Sequence, residues 1–402
     1  MRLTPIIFDY CSVRMHRVPA SINPLREVCS SPRILRDINA ANLIIHKSQA
    51  PKNKMPLASL KFGETFTDHL LEVNYTEQGG WDDPVIRPYG PISLDPASAV
   101  FHYGLECFEG MKAYKDQQNR IRLFRPDMNM KRMNRSMSRL SLPTFDGDQL
   151  LKCLKELLKL DQEWIPKQDG YSLYIRPTGI STDANIGVRK SRTAKIFIIC
   201  SPVGPYYPEG FAPVKLYAND QYVRAWPGGM GAYKVGGNYA SGILPQSEAA
   251  EKGYSQNLWI FGEDDYVTEV GTMNFFMHWI SEDGVEELVT PPLTRGDILP
   301  GITRDSIISL VRETEDLPVR EGNIKMKDLS QAVKEGRLFE AFGSGTAAII
   351  TPISVIHYKG EDLHIPLSGK DGQAGKLAER LWQNIIDIQY GRVAHPWSIV
   401  VE

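Results

Sequence analysis

The segment of this 402-residue chain richest in glycine surrounds a single lysine. Residues 227–242 read PGGMGAYKVGGNYASG, placing Gly228, Gly229, Gly231, Gly236, Gly237 and Gly242 around Lys234. Glycine costs conformational entropy but lets the backbone approach a ligand closely. The segment therefore reads either as a flexible surface loop or as a tightly packed turn holding a reactive amine. Two further segments have the chemistry of an anion site. Leu299-Pro300-Gly301-Ile302-Thr303 precedes a helix whose first amides lack intrahelical acceptors, which suits a phosphate. Gly343-Ser344-Gly345-Thr346-Ala347 follows the apolar strand Leu338–Phe342 and could form a nest of backbone amides. Alone, each also reads as no more than a helix start or a turn.

Several other chemistries are excluded. Gly343–Ala348 matches the G-x-G-x-x-A dinucleotide fingerprint, with Glu361 and Asp362 at about the right distance onward. That fingerprint needs a helix, whereas Ile349-Ile350-Thr351-Pro352 predicts a strand and turn. There is no G-x-S-x-G elbow, no Walker motif and no H-E-x-x-H. The five cysteines (Cys11, Cys29, Cys107, Cys153, Cys200) are odd in number and never spaced C-x-x-C, which excludes a disulfide scaffold and any standard zinc motif. No metal site is expected.

The elements that would position these residues are legible in part. Leu151, Leu154 and Leu158 share one face of a helix over Gln149–Leu160, with Thr144 or Asp146 available as its N-cap. Tyr171–Arg176 has strand character, and its period of two puts Tyr174 and Arg176 on one face and Leu173 and Ile175 on the other. Lys195–Cys200 predicts another strand, leading into the proline-rich stretch 201–213, which reads as an interdomain linker. Beyond it, Asn257–Phe261 and Tyr266–Val270 read as strands around a turn at Gly262–Asp265, and Thr303–Arg312 as a helix. Leu377, Leu381, Ile385 and Ile388 form the apolar stripe of a late helix.

The expected organisation is α+β (mixed α/β) with two domains and a ligand cleft between them. A leader covers 1–55, a smaller domain 56–203, an interdomain loop 204–213 and a larger domain 214–402. Folding is expected to begin near Leu57–Phe62. A net charge of −2 argues against a general nucleic-acid binder, and no apolar run is long enough to span a membrane. Residues 1–54 carry nine Lys/Arg against three acids, a leader that resembles a transit peptide and predicts a mitochondrial location, with a cytoplasmic one as the alternative.

Taken together, these segments resemble the branched-chain amino-acid aminotransferases of the pyridoxal-phosphate fold-type IV class. The resemblance runs from about Leu57 onward through FGETFTDH (62–69), LECFEGMKAY (105–114), SLYIRP (172–177), SPVGPYY (201–207), RAWPGG (224–229), YKVGGNY (233–239), TEVGTMN (268–274), ILPGITR (298–304), FEAFGSGTAA (339–348) and DIQYG (387–391). It implies that Lys234 holds pyridoxal 5'-phosphate as a Schiff base and then shuttles a proton, burial lowering its pKa enough to leave a usable neutral amine. It implies that Glu269 pairs with the pyridine nitrogen and Tyr239 with the phenolic oxygen. Arg132, the Ile302 and Thr303 amides and the Thr346 hydroxyl would hold the phosphate, with Thr272 and Leu299 also at the cofactor.

For the substrate, the resemblance implies an apolar pocket of Phe62, Phe108, Tyr174, Tyr206 and Ala347. Ile186 and Val188 would be lent by a neighbouring subunit of a homodimer. Tyr103, with the Thr346 and Ala347 amides, would bind the α-carboxylate. Arg176 would take the distal carboxylate of glutamate or 2-oxoglutarate. The implied reaction is a ping-pong exchange of an amine between L-leucine, L-isoleucine or L-valine and 2-oxoglutarate, giving branched-chain 2-oxo acids and L-glutamate. The chain departs from the animal forms at a redox C-x-x-C, whose positions here are Ala348 and Thr351. Two rivals stay open: a D-amino-acid aminotransferase or aminodeoxychorismate lyase on the same fold, and a non-catalytic nucleotide-binding protein.

Overall fold

The computed structural model describes residues 35–205 and 212–402. The leader before Leu35 and most of the expected interdomain loop, including Tyr206, lie outside the described residues. Among the described residues, strands form two mixed sheets of ten and nine members, with helices packed against both.

The first sheet is built around the long antiparallel pair Ser172–Ser181 and Thr193–Val203. Alternation along Ser172–Ser181 works as the sequence predicts: Leu173 and Ile175 enter the core, while Tyr174 and Arg176 face a cavity. The strand does not stop at Pro177 but runs through it, pairing that residue with Ile198. On the core side lie the helices Pro126–Arg139 and Gly147–Leu160. The second is capped by the Asp146 carboxylate, which accepts from the Asp148 and Gln149 amides.

Packing starts earlier than Leu57. Ile38 is buried in the first core, Ile44–Ile45 pairs with Val85–Pro88, and the Arg36 backbone bridges Gly80. Short, weakly periodic segments of this kind gain order from tertiary contacts rather than from their own pattern. At the other end, Ser398–Val400 pairs antiparallel with Ile121–Phe124, completing the first sheet with residues that follow the whole second one.

In the second sheet, hydrogen-bonded neighbours run from Tyr266–Val270 through Gln256–Phe261, Val214–Asn219, Ile349–Tyr358 and Leu338–Gly345 to Met273–Ile280. Met273–Ile280 also pairs with Tyr266–Val270, so these six strands close on themselves as a barrel. Gly343 and Gly345 lie in a strand, and Ile349 opens the next, so no helix follows the glycine motif. This agrees with rejection of the dinucleotide reading. Helices Ile302–Thr314 and Lys376–Gln389 share a third core with Phe276, Phe342 and Tyr114. Tyr114 belongs to the first sheet, and its ring lies 4.9 Å from that of Tyr390. No described helix is long and apolar enough to cross a membrane.

Candidate active site

Strand Glu106–Phe108 joins the two sheets' territories. One edge pairs with Ser172–Ser181, and on the other the Phe108 amide donates to the Lys234 carbonyl at 3.0 Å. The glycine-rich segment is therefore clamped rather than loose: Val235 is buried, and the Lys234 amide donates to Ser136 Oγ at 2.9 Å. Gly231 could not carry a side chain, because an added Cβ would lie 2.5 Å from the Asp297 carbonyl and 2.6 Å from the Ala225 Cβ. The Lys234 side chain is half-buried rather than buried, because it opens into a cavity. Its Nζ donates to Tyr239 Oη at 2.9 Å and sits 4.6 Å from the Phe108 ring centroid.

Phe62, Phe108, Tyr174 and Arg176 line that cavity with Lys234 and Tyr239, opposite Thr272 and the turn from Gly345 to Ala348. Phe62 meets Tyr174 edge-on at 4.8 Å, and Phe108 meets Tyr239 at 4.9 Å. Arg176 Nη2 donates to Tyr174 Oη at 3.1 Å, and its guanidinium lies 4.5 Å from the Phe108 centroid. Its Nε is enclosed without a partner, and no described carboxylate lies within ion-pair distance. A buried donor in that state suits an acceptor brought by a ligand.

Glu269 is buried on the strand Tyr266–Val270, at the seam that closes the barrel. Its Oε1 accepts from the Leu299 amide at 3.0 Å and from Asn274 Nδ2 at 3.1 Å, and its Oε2 lies 2.7 Å from Arg224 Nη1. Burial pushes this carboxyl above its usual range; Arg224, the Leu299 amide and Lys234 oppose that. The Arg224–Glu269 pair was not foreseen from sequence. Its only signal was Arg224's place inside the RAWPGG string.

The suspected anion site is assembled from distant segments. Helix Ile302–Thr314 starts after Gly301 with no side chain capping its first amides. Arg132 reaches it from helix Pro126–Arg139, Nη1 donating to the Pro300 carbonyl at 3.0 Å. Its Nε and Nη2 form a fork on buried Glu109 at 2.7 and 2.8 Å, which keeps the guanidinium charged despite burial. Thr303 Oγ1 donates to the Gly345 carbonyl at 3.1 Å, bringing the glycine-rich turn to the same place. A small cavity lies between Ile302, Thr303, Thr346 and Lys112. Uncapped amides and two hydroxyls around that cavity, with the buried Arg132 cation held at the Pro300 carbonyl, fit a phosphate group.

Three expected substrate residues do not reach this cavity within one chain. Ile186 and Val188 are 67% and 86% exposed, and Tyr103 is 41% exposed with its hydroxyl donating to the Ile186 carbonyl. Tyr103 ends the short helix Ala99–Tyr103. Tyr103 is therefore not brought together with Thr346 and Ala347 among the residues lining this cavity. Sequence reading also passed over Lys112, whose Nζ donates to the Ala347 carbonyl at 2.6 Å and which burial pulls down to about 8. Among the described cysteines, Cys107, Cys153 and Cys200 are free and buried.

The model of the family described as amino-transferase class IV matches residues 106–356. The chain is 51% identical over 379 residues to the branched-chain-amino-acid aminotransferase of Dictyostelium discoideum, covering 94% of this chain and 99% of that protein. It is 50% identical to the cytosolic branched-chain-amino-acid aminotransferase of Mus musculus, over 92% of this chain and 95% of that protein. It is 51% identical to the mitochondrial one of Schizosaccharomyces pombe, over 85% and 80%. Among solved structures, the branched-chain aminotransferase of Thermoproteus uzoniensis with norvaline superposes with a TM-score of 0.64 at 28% identity, over 79% of this chain and 97% of that one. The relatives thus include cytosolic and mitochondrial forms.

Proposed function

This chain belongs to the class IV amino-transferases and, among them, to the branched-chain-amino-acid aminotransferase family, and we propose that it exchanges an amine between L-leucine, L-isoleucine or L-valine and 2-oxoglutarate. The observation that carries this reading is the Lys234 amine, 2.9 Å from Tyr239 Oη, in a cavity with an aromatic wall and one arginine with no described carboxylate within ion-pair distance. Pyridoxal 5'-phosphate, when bound, supplies the ring that accepts electron density from the substrate Cα and the carbon that carries the amine between the two half-reactions.

The residues divide the remaining work. The uncapped amides of Ile302 and Thr303, the Thr346 hydroxyl and the field of Arg132 would hold the phosphate. Glu269, its carboxylate fixed by Asn274, Leu299 and Arg224, would pair with the ring nitrogen and hold a proton there. Thr272 closes the turn beside it. Tyr239 Oη fixes the phenolic oxygen, and Lys234 Nζ removes the proton from the substrate Cα and later returns it. Thr346 and Ala347 offer amides to the α-carboxylate. Phe62, Phe108 and Tyr174 exclude water around a branched side chain, with Tyr206 assigned to the same wall from its sequence alone. Arg176 takes the second carboxylate of glutamate.

Exposure of Tyr103, Ile186 and Val188 supports a homodimer in which these three complete the neighbour's pocket. The two sheets, apart from Ser398–Val400 returning to the first, support the division into a smaller domain through residue 203 and a larger one from 214. The basic leader supports delivery to mitochondria, which imaging of a fusion with and without residues 1–34 tests.

The deciding experiment compares turnover of L-leucine, D-alanine and aminodeoxychorismate by the cofactor-loaded enzyme. L-Leucine with 2-oxoglutarate is the expected pair, and its failure rejects the reading. Lys234→Ala is expected to abolish both the visible absorbance and its change on adding leucine.

A further inference from the structure

One acidic side chain near the cavity has no part in the chemistry above. Strand Glu106–Phe108 buries Cys107 completely, so alternation sends Glu106 and Phe108 to the opposite face, where Phe108 lines the cavity. The Glu106 backbone is fixed on both sides, by register with Ile180 and by the Gly236 amide donating to its carbonyl at 3.3 Å. Its carboxylate lies over Gly236 so closely that a Cβ there would collide with Oε2. Burial pushes the carboxyl up, while the Gly236 amide, Arg176 and Lys234 pull it down. Those two cations face it from the strand Ser172–Ser181 and from the glycine-rich segment respectively. Neither is within ion-pair distance, and Glu106 forms no ion pair elsewhere among the described residues.

We propose that Glu106 is a specificity-determining residue: a standing counter-charge to Arg176 that favours apolar substrate side chains and disfavours a distal carboxylate. The inference rests on the reading of Arg176 given above. When a branched side chain fills the pocket, Arg176 remains enclosed beside Phe108 and Tyr174, and a negative charge on the neighbouring strand offsets its desolvation. When a dicarboxylate binds, Arg176 gains a direct partner and Glu106 then repels it. One fixed charge thus narrows the gap between two substrate classes that would otherwise differ widely in affinity. This keeps glutamate from occupying the site at the expense of the apolar partner.

The test uses unreactive acids on the cofactor-loaded enzyme, with glutarate standing for the dicarboxylate and 4-methylpentanoate for the branched chain. In Glu106→Gln, calorimetry is expected to show glutarate tightening about three- to tenfold while 4-methylpentanoate stays level or weakens. The KM for 2-oxoglutarate is expected to fall relative to that for 4-methyl-2-oxopentanoate, with Glu106→Asp close to wild type. Parallel shifts for both acids, or no shift, overturn the proposal, since a merely structural role moves both alike. Glu106→Asn gives the same reading should Glu106→Gln fold poorly. Absence of leucine turnover in a wild type whose acids still separate on substitution refutes the substrate assignment alone. Leucine turnover without that separation refutes the role of Glu106 alone.

Discussion

Lys112 Nζ donates to the Ala347 carbonyl at 2.6 Å across 235 residues of sequence, tying the first sheet to the turn that offers amides to the substrate. Both substrate classes present the same α-carboxylate to that turn, so Lys112→Met is expected to raise KM for leucine and for 2-oxoglutarate together, by about tenfold. Steady-state rates with each substrate check this; an effect on one alone contradicts it. Burial pulls Lys112 from 10.5 to about 8, so the folded state sheds a proton that the unfolded chain keeps between those values. Wild-type stability is therefore expected to gain a contribution as pH rises from about 8 to about 10, and Lys112→Met to lack it in urea melts.

Arg224 and Glu269 form a buried pair at 2.7 Å. Removing the cation in Arg224→Met leaves the carboxyl enclosed, at a cost of about 3–5 kcal/mol in denaturant unfolding. Burial then raises the Glu269 carboxyl with less opposition, so a larger share is protonated at neutral pH. Adding Glu269→Gln is expected to restore part of the stability but none of the activity.

Arg176→Ala separates the two half-reactions. Among the described residues its guanidinium meets only Tyr174 Oη and aromatic faces, so an apolar substrate loses little when it goes. The loss in kcat/KM is expected to be at least about tenfold larger with glutamate than with leucine. Equal losses refute the assigned role.

Asp116 offers a pH test away from the cavity. Burial alone would raise its carboxyl, but the Arg120 amide and the Arg122 and Arg120 guanidinia hold it below the usual range. This contribution is present above the unfolded carboxyl value near 4 and is lost as pH falls through the lower folded one. Asp116→Asn is expected to cost about 1–3 kcal/mol at pH 7, with the gap to wild type closing progressively below about pH 4.

What could be read from sequence follows the range of the forces involved. The faces of Tyr174 and Arg176 were legible because the strand period is local, and the Asp146 cap because capping spans three residues. The strings around Lys234, Glu269 and Thr303 pointed to one site because the family resemblance spans the chain, not because spacing could. The Arg224–Glu269 and Lys112–Ala347 contacts were illegible, since each joins segments far apart that only the closed fold brings together. Sequence marks Tyr103 as an expected substrate residue but says nothing of which chain's cavity it would serve. Ile38 looked like leader because two-residue strands carry no periodicity, yet the core encloses it.

The strand Ser398–Val400 has one more implication, for biogenesis. Arg122 and Ser398, paired side chain to side chain at 3.3 Å, are 276 positions apart. During translation the early sheet must wait, its border unfilled, until residues 398–400 have left the ribosome. A nascent chain stalled before that strand would expose an unpaired β margin, the kind of surface that chaperones shield from sticking to its neighbours.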